Sequence, residues 1–127
     1  MGEKKVLLVE DERPITKAIA TMLGADGLVV DIASTAETAL THIASHRYDL
    51  LIIDASLPDQ SGFALCQTMR LCDDFDELPI ILMTIRNTDI EARKAKAVGA
   101  TATLTKPFGP AELRATLAPF VELESLQ

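Results

Sequence analysis

Uninterrupted apolar runs that each stop at a chemically capable side chain constrain this chain more than any other feature. Val6 to Val9 leads straight into Glu10 and Asp11, Leu50 to Ile53 into Asp54, and Pro79 to Met83 into Thr84. The Thr-rich segment Thr101 to Thr105 leads into Lys106 in the same way. Aliphatic runs of this kind read as strands buried on both faces, the type a parallel sheet uses. In open α/β sheets, ligands bind beyond the carboxyl ends of the strands, in the crevice where strand order reverses. The pattern therefore predicts three acids, one hydroxyl and one amine gathered at a single edge.

Strand and helix signals alternate, five of each, which favours βα units over a bundle or a sandwich. Pro14 suits a first helical position, and Ile15, Ile19, Met22 and Leu23 share one face before Gly24 and Gly27 close the helix. After a second strand at Leu28 to Ile32, Ser34 and Glu37 form an S-x-x-E box expected to open a helix with Ala36, Ala39, Leu40 and Ile43 inward. Leu57 to Gly62 is rich in turn formers, and Phe63 to Leu71 resumes a helical period. The helix expected from Thr88 to Val98 has a thin apolar face of Ile90, Ala97 and Val98, with Gly99 as its stop, and is expected to be mobile. The last helix starts at Pro110 and points Leu113, Leu117, Phe120 and Val121 at the core, with Pro119 shortening or bending its end.

A length of 127 residues with a 48% hydrophobic share matches one domain with a full core, so residues 1–127 are expected to form a single unit. The formal charge of −7 disfavours nucleic acid or an anionic membrane as a direct partner and favours a basic partner or a divalent cation. No stretch approaches the roughly 18 to 20 apolar residues of a membrane span, and because the start turns acidic by Glu12 no secretion signal is expected there. A cytoplasmic location is the resulting expectation. Cys66 and Cys72 lack CxxC spacing and read as reduced thiols, in and just beyond one helix. His42 and His46 lie one turn apart on a polar face without a third ligand, and the Asp73 to Glu77 run lacks the glycine and spacing of a calcium loop.

If the sheet is wound in the common order 2-1-3-4-5, Glu10, Asp11 and Asp54 meet at the switch point. Two like charges about 5 to 6 Å apart repel by roughly 3 kcal/mol at an effective dielectric of 20, so such a trio requires a cation. Hard oxygen donors in this number suit Mg²⁺, which keeps several waters and takes one or two carboxylates plus phosphate oxygens. Lys106 adds a second positive charge. A carboxylate between two cations can act as nucleophile toward a phosphoryl group, with Thr84 donating a hydrogen bond to a phosphoryl oxygen.

The segments L-L-V-E-D-E, D-L-L-I-I-D-A-S-L-P-D-Q-S-G, L-P-I-I-L-M-T and V-G-A-T-A-T-L-T-K-P-F together are highly specific. Through them the chain resembles, over nearly its whole length, the receiver domain of bacterial two-component response regulators. The resemblance implies a flavodoxin-like (βα)5 three-layer α/β sandwich with a parallel five-stranded sheet in the order 2-1-3-4-5. It implies Asp54 as phosphoacceptor, Asp11 as a direct Mg²⁺ ligand, Glu10 as a ligand through water and the main-chain carbonyl of Ser56 as the last protein donor. Thr84 and Lys106 would contact the phosphoryl group, and a cis Lys106-Pro107 bond would aim the lysine inward. The donor would be a phosphohistidine on a sensor histidine kinase or a histidine phosphotransfer protein. Apart from self-directed phosphoryl transfer and autodephosphorylation, no enzyme activity is implied. The resemblance implies control of an output partner or domain and allows a homodimer through the last helices.

Two positions depart from the family pattern. Ile85 stands directly after Thr84, where a small residue is usual, and a β-branched side chain there is expected to restrict access to Asp54. Thr103, three residues before Lys106, replaces the usual aromatic and puts the coupling of Thr84 to the outer face of the last strand in doubt. These departures keep an alternative open, a degenerate receiver that binds its partner regardless of phosphate. A nucleotide binder is disfavoured because Glu10, Asp11 and Glu12 provide no glycine-rich cradle. A dehalogenase-like phosphatase would need a second aspartate soon after Asp54, where Ala55 and Ser56 stand.

Overall fold

The computed structural model describes residues 3–123. Five strands, β1 (Lys5–Val9), β2 (Val29–Ala33), β3 (Leu50–Asp54), β4 (Ile80–Thr84) and β5 (Ala102–Thr105), alternate with α1 (Arg13–Ala25), α2 (Ala36–Ser45), α3 (Gly62–Arg70), α4 (Asp89–Ala97) and α5 (Pro110–Leu117). A single 3-10 turn, Asp73–Phe75, occupies the acidic run before β4. All strand pairs are parallel and the order is β2-β1-β3-β4-β5, so the flavodoxin-like expectation holds.

The period of two within each strand divides the core. Leu7, Val9, Leu51, Ile53, Ile80 and Leu82 face α2, α3 and α4, while Val6, Leu8, Leu50, Ile52, Ile81 and Met83 face α1 and α5. Each Leu or Ile removed fully from water contributes about 1.5–3 kcal/mol, which explains why Val6–Val9, Leu50–Ile53 and Ile80–Met83 in the three central strands are wholly apolar. Three layers result, and the strands' carboxyl ends form one rim. No helix among the described residues is long and apolar enough to cross a membrane.

Local details differ from the sequence reading at two helices. The N-cap of α2 is Thr35, whose side chain accepts from Thr38 N, and not Ser34. The helix begins one residue later than the S-x-x-E box implied, and Leu40 is exposed on its outer face. In α4 the inward stripe is Glu91, Ala95 and Val98, spaced by four and three, with Ala95 buried and Ile90 68% exposed. Ile90 and Ala97, expected inward, are exposed because the helical period sets the face that meets the sheet. The end of α5 at Leu117 agrees with the stop expected from Pro119. Cys66 is buried in α3 and Cys72 exposed beyond it, and both are free.

Candidate functional site

Strand register sets the site. Val9 pairs with Ile53, so Glu10 and Asp54 leave β1 and β3 side by side. Asp54 pairs with Met83, which puts Thr84 one step further along, and Thr84 pairs with Thr105, which puts Lys106 one step beyond that. The polar ends therefore climb diagonally across the rim.

The residues converge at Lys106. Its Nζ lies 2.6 Å from Glu10 Oε1 and 3.3 Å from Asp54 Oδ2. The main-chain N–H of Lys106 donates to Thr84 O at 2.7 Å, and the Lys106-Pro107 bond is cis. Glu10 is almost fully buried, and its Oε2 accepts from the main-chain N–H groups of Asp11 and Glu12 at 3.1 and 3.2 Å. Asp54 is 5% exposed, and its Oδ1 accepts from Ser56 N at 3.3 Å. Asp11, by contrast, is exposed at the mouth.

Burial pushes the Glu10 carboxyl up to about 6, with the charge of Asp54 adding to the rise and the bond from Lys106 opposing it. Burial works to lower the Lys106 ammonium, but the bond to Glu10 and the charge of Asp54 outweigh it and hold the group above its ordinary value. The lysine is thus held as a cation between the two carboxyl groups.

Ligand oxygens of Glu10, Asp11 and Asp54 all lie within 4.8 Å of one another, the one such metal-capable group among the described residues. Lys106 balances one unit of this charge and leaves a site whose donors are all hard oxygens, two on buried residues and one on an exposed residue. That donor set fits Mg²⁺. His42 Nδ1 lies 3.3 Å from Tyr48 Oη.

Thr84 is buried, and its hydroxyl donates to Arg86 O at 3.2 Å, the loop between β4 and α4. A cleft of about 170 Å³ opens over Asp54, lined by Ser56, Thr84, Ile85, Arg86 and Glu91 among others. Ile85 stands at its rim, 75% exposed, and also forms part of an apolar groove with Ile15, Met22 and Phe108. Thr103 is exposed on β5 opposite Leu82, away from the cleft.

Two residues gain a role that the sequence did not assign. A Cβ on Gly62 would sit 2.1 Å from Asp54 O, so α3 reaches the end of β3 only because no side chain intervenes. The sequence signal is a glycine in the first position of a helix capped by Ser61, but its cause lies in the approach of two backbones. Asp59 accepts from Ala36 N at 2.9 Å and Glu37 N at 3.0 Å, and these two bonds hold its carboxyl below the usual carboxylate range. Nothing local in the sequence connects those positions.

The profile of the response regulator receiver domain matches residues 6–118. Among curated proteins, the chain is 34% identical over 92% of its length to the transcriptional regulatory protein YvrH of Bacillus subtilis, and 36% identical over 88% to the KDP operon transcriptional regulatory protein KdpE of Escherichia coli. It spans about half the length of these relatives, 48% in both cases. Among solved structures, the chemotaxis response regulator CheY4 of Vibrio cholerae aligns with a TM-score of 0.90 at 31% identity, covering 94% of this chain and 100% of that one. The receiver domain of a sensor histidine kinase from Pseudomonas aeruginosa, solved with a magnesium ion coordinated in its active-site cleft, aligns with a TM-score of 0.84 at 27% identity, covering 94% and 98%.

Proposed function

The chain belongs to the response regulator receiver domain family, and from that premise we propose that Asp54 is the residue that takes up the phosphoryl group. The observation that carries this reading is Lys106 Nζ held at 2.6 and 3.3 Å from Glu10 and Asp54 at the rim where three carboxylates crowd together. Glu10, Asp11, Asp54 and the main-chain carbonyl of Ser56 would hold Mg²⁺. Bound there, the ion supplies charge neutralisation for the equatorial phosphoryl oxygens and for the acyl phosphate.

The chain's own residues do the rest. An Asp54 oxygen attacks phosphorus, an O–P bond forms, and the P–N bond to a donor imidazole breaks with its electron pair leaving on nitrogen. Lys106 exchanges part of its contact with Asp54 for a phosphoryl oxygen and keeps Glu10 as its anchor. Thr84 turns its hydroxyl from Arg86 O to another phosphoryl oxygen, which frees the loop before α4 and biases that helix. Water later hydrolyses the acyl phosphate and resets the domain. The donor is a sensor histidine kinase or a histidine phosphotransfer protein in the cytoplasm, and the readout passes to an output partner or domain.

Titrating Mg²⁺ and then beryllofluoride into labelled protein, read by backbone amide shifts, tests the reading without a donor. Saturable shifts at Asp54 that spread to Ile90 to Leu117 are expected. Shifts confined to the cleft would mean binding without transmission, and no saturable response would replace the switch with a phosphate-independent adaptor.

A further inference from the structure

The loop between β3 and α3 is fixed at its two ends by main-chain bonds. Ala55 N donates to Met83 O at 2.9 Å, Gly62 N donates to Ala55 O at 2.8 Å, and Ser56 and Ser61 form an isolated antiparallel bridge. Ser61 is further committed as the cap of α3, accepting from Ala64 N at 3.0 Å. The exposed tip, Pro58 to Gln60, has a different anchor. Its Asp59 carboxylate spans to α2, where Oδ1 and Oδ2 accept from Ala36 N and Glu37 N.

α2 needs this distant residue. The first amides of a helix have no partner within it, and Thr35 Oγ1 serves only Thr38 N. Ala36 is fully buried, so water does not serve its amide and an unmet donor there is costly. A carboxylate also complements the positive end of the helix dipole. Asp59 thus caps a helix 23 residues earlier in the chain. Because β1 lies between β2 and β3, the strap joins the segments that follow the two neighbours of the strand leading into Glu10 and Asp11.

We propose that Asp59 is a positioning residue for the phosphoacceptor site: by strapping the loop after Asp54 to the amino end of α2, it holds Ser56 at the mouth and sets the affinity of the site for Mg²⁺. The inference rests on the reading of Glu10, Asp11, Asp54 and Ser56 as the metal-holding group.

The test is Mg²⁺ affinity, by amide-shift titration of the whole chain, in the wild type, Asp59→Ala, Asp59→Asn and Thr35→Ala. Asp59→Ala is expected to bind about tenfold more weakly, the low end of what losing a ligand's supporting bond costs. Asp59→Asn keeps one acceptor and should fall between the two. Thr35→Ala removes a cap from the same helix and should lower stability while leaving Mg²⁺ affinity unchanged. Hydrogen exchange at Gly62 N should accelerate in Asp59→Ala and not in Thr35→Ala.

Equal losses in Asp59→Ala and Asp59→Asn would reduce the effect to charge and overturn the proposal. So would wild-type affinity in Asp59→Ala, or an equal loss in Thr35→Ala. A wild type that fails to bind Mg²⁺ would overturn the reading of the site itself, a result distinct from any of these.

Discussion

At the level of single residues, the site depends as much on what is missing as on what is present. Gly62 lets α3 touch the carbonyl of Asp54, and a methyl group there would have to displace one backbone from the other. Gly62→Ala is expected to destabilise the fold by about 1–3 kcal/mol, as overpacking does, with the urea midpoint as the measure. An unchanged midpoint would mean the contact yields freely. Ile85 is the opposite case, an exposed β-branched side chain at the rim of the cleft over Asp54. If it narrows the approach, Ile85→Ala should speed phosphorylation by a small donor and hydrolysis of the product by about threefold, or ~0.7 kcal/mol of barrier. Identical rates would remove Ile85 from the access route. Glu10, Asp11, Asp54 and Thr84 were legible because they follow apolar runs, and Lys106 because it follows a Thr-rich strand segment, all of them local signals.

Among the elements, α4 is thinly packed, whereas α1 and α5 are tied together by an ion pair. α4 buries only Ala95 along its helical span, and its amino end hangs on a loop whose Arg86 carbonyl is bonded by Thr84. On β5 the exposed Thr103 has little volume with which to follow a movement of Thr84. Thr103→Tyr is expected to widen the difference in partner affinity between free and beryllofluoride-bound protein by about 1 kcal/mol, roughly fivefold, without altering phosphorylation. Equal affinities in both states would exclude β5 from the route. α1 and α5 are joined by Arg114 Nε, 3.0 Å from a carboxylate oxygen of the buried Asp26, whose other oxygen has no hydrogen-bond partner. Removing the guanidinium leaves that charge uncompensated, so Arg114→Ala should cost about 3 kcal/mol by denaturation, partly recovered by adding Asp26→Asn. No recovery in the double variant would place the loss in packing instead.

For the molecule as a whole, one sheet is shared by both cores, since alternate residues of the same strands line each face. Neither face can lose its packing without exposing the strands to the other. Chemical unfolding is therefore expected as a single transition, with backbone and side-chain probes coincident; two separated transitions would show that the faces unfold independently. By itself the sequence determined the number of strands, their parallel character and the residues at their carboxyl ends, because apolar runs, turn residues and polar stops act over a few neighbouring positions. Only the tertiary structure decided which helix residues face inward on α4, that Thr35 rather than Ser34 caps α2, and that Asp59 and Gly62 shape the loop beside Asp54. Those outcomes depend on how helices settle on the sheet and on bonds between residues far apart in the chain, which no local pattern encodes.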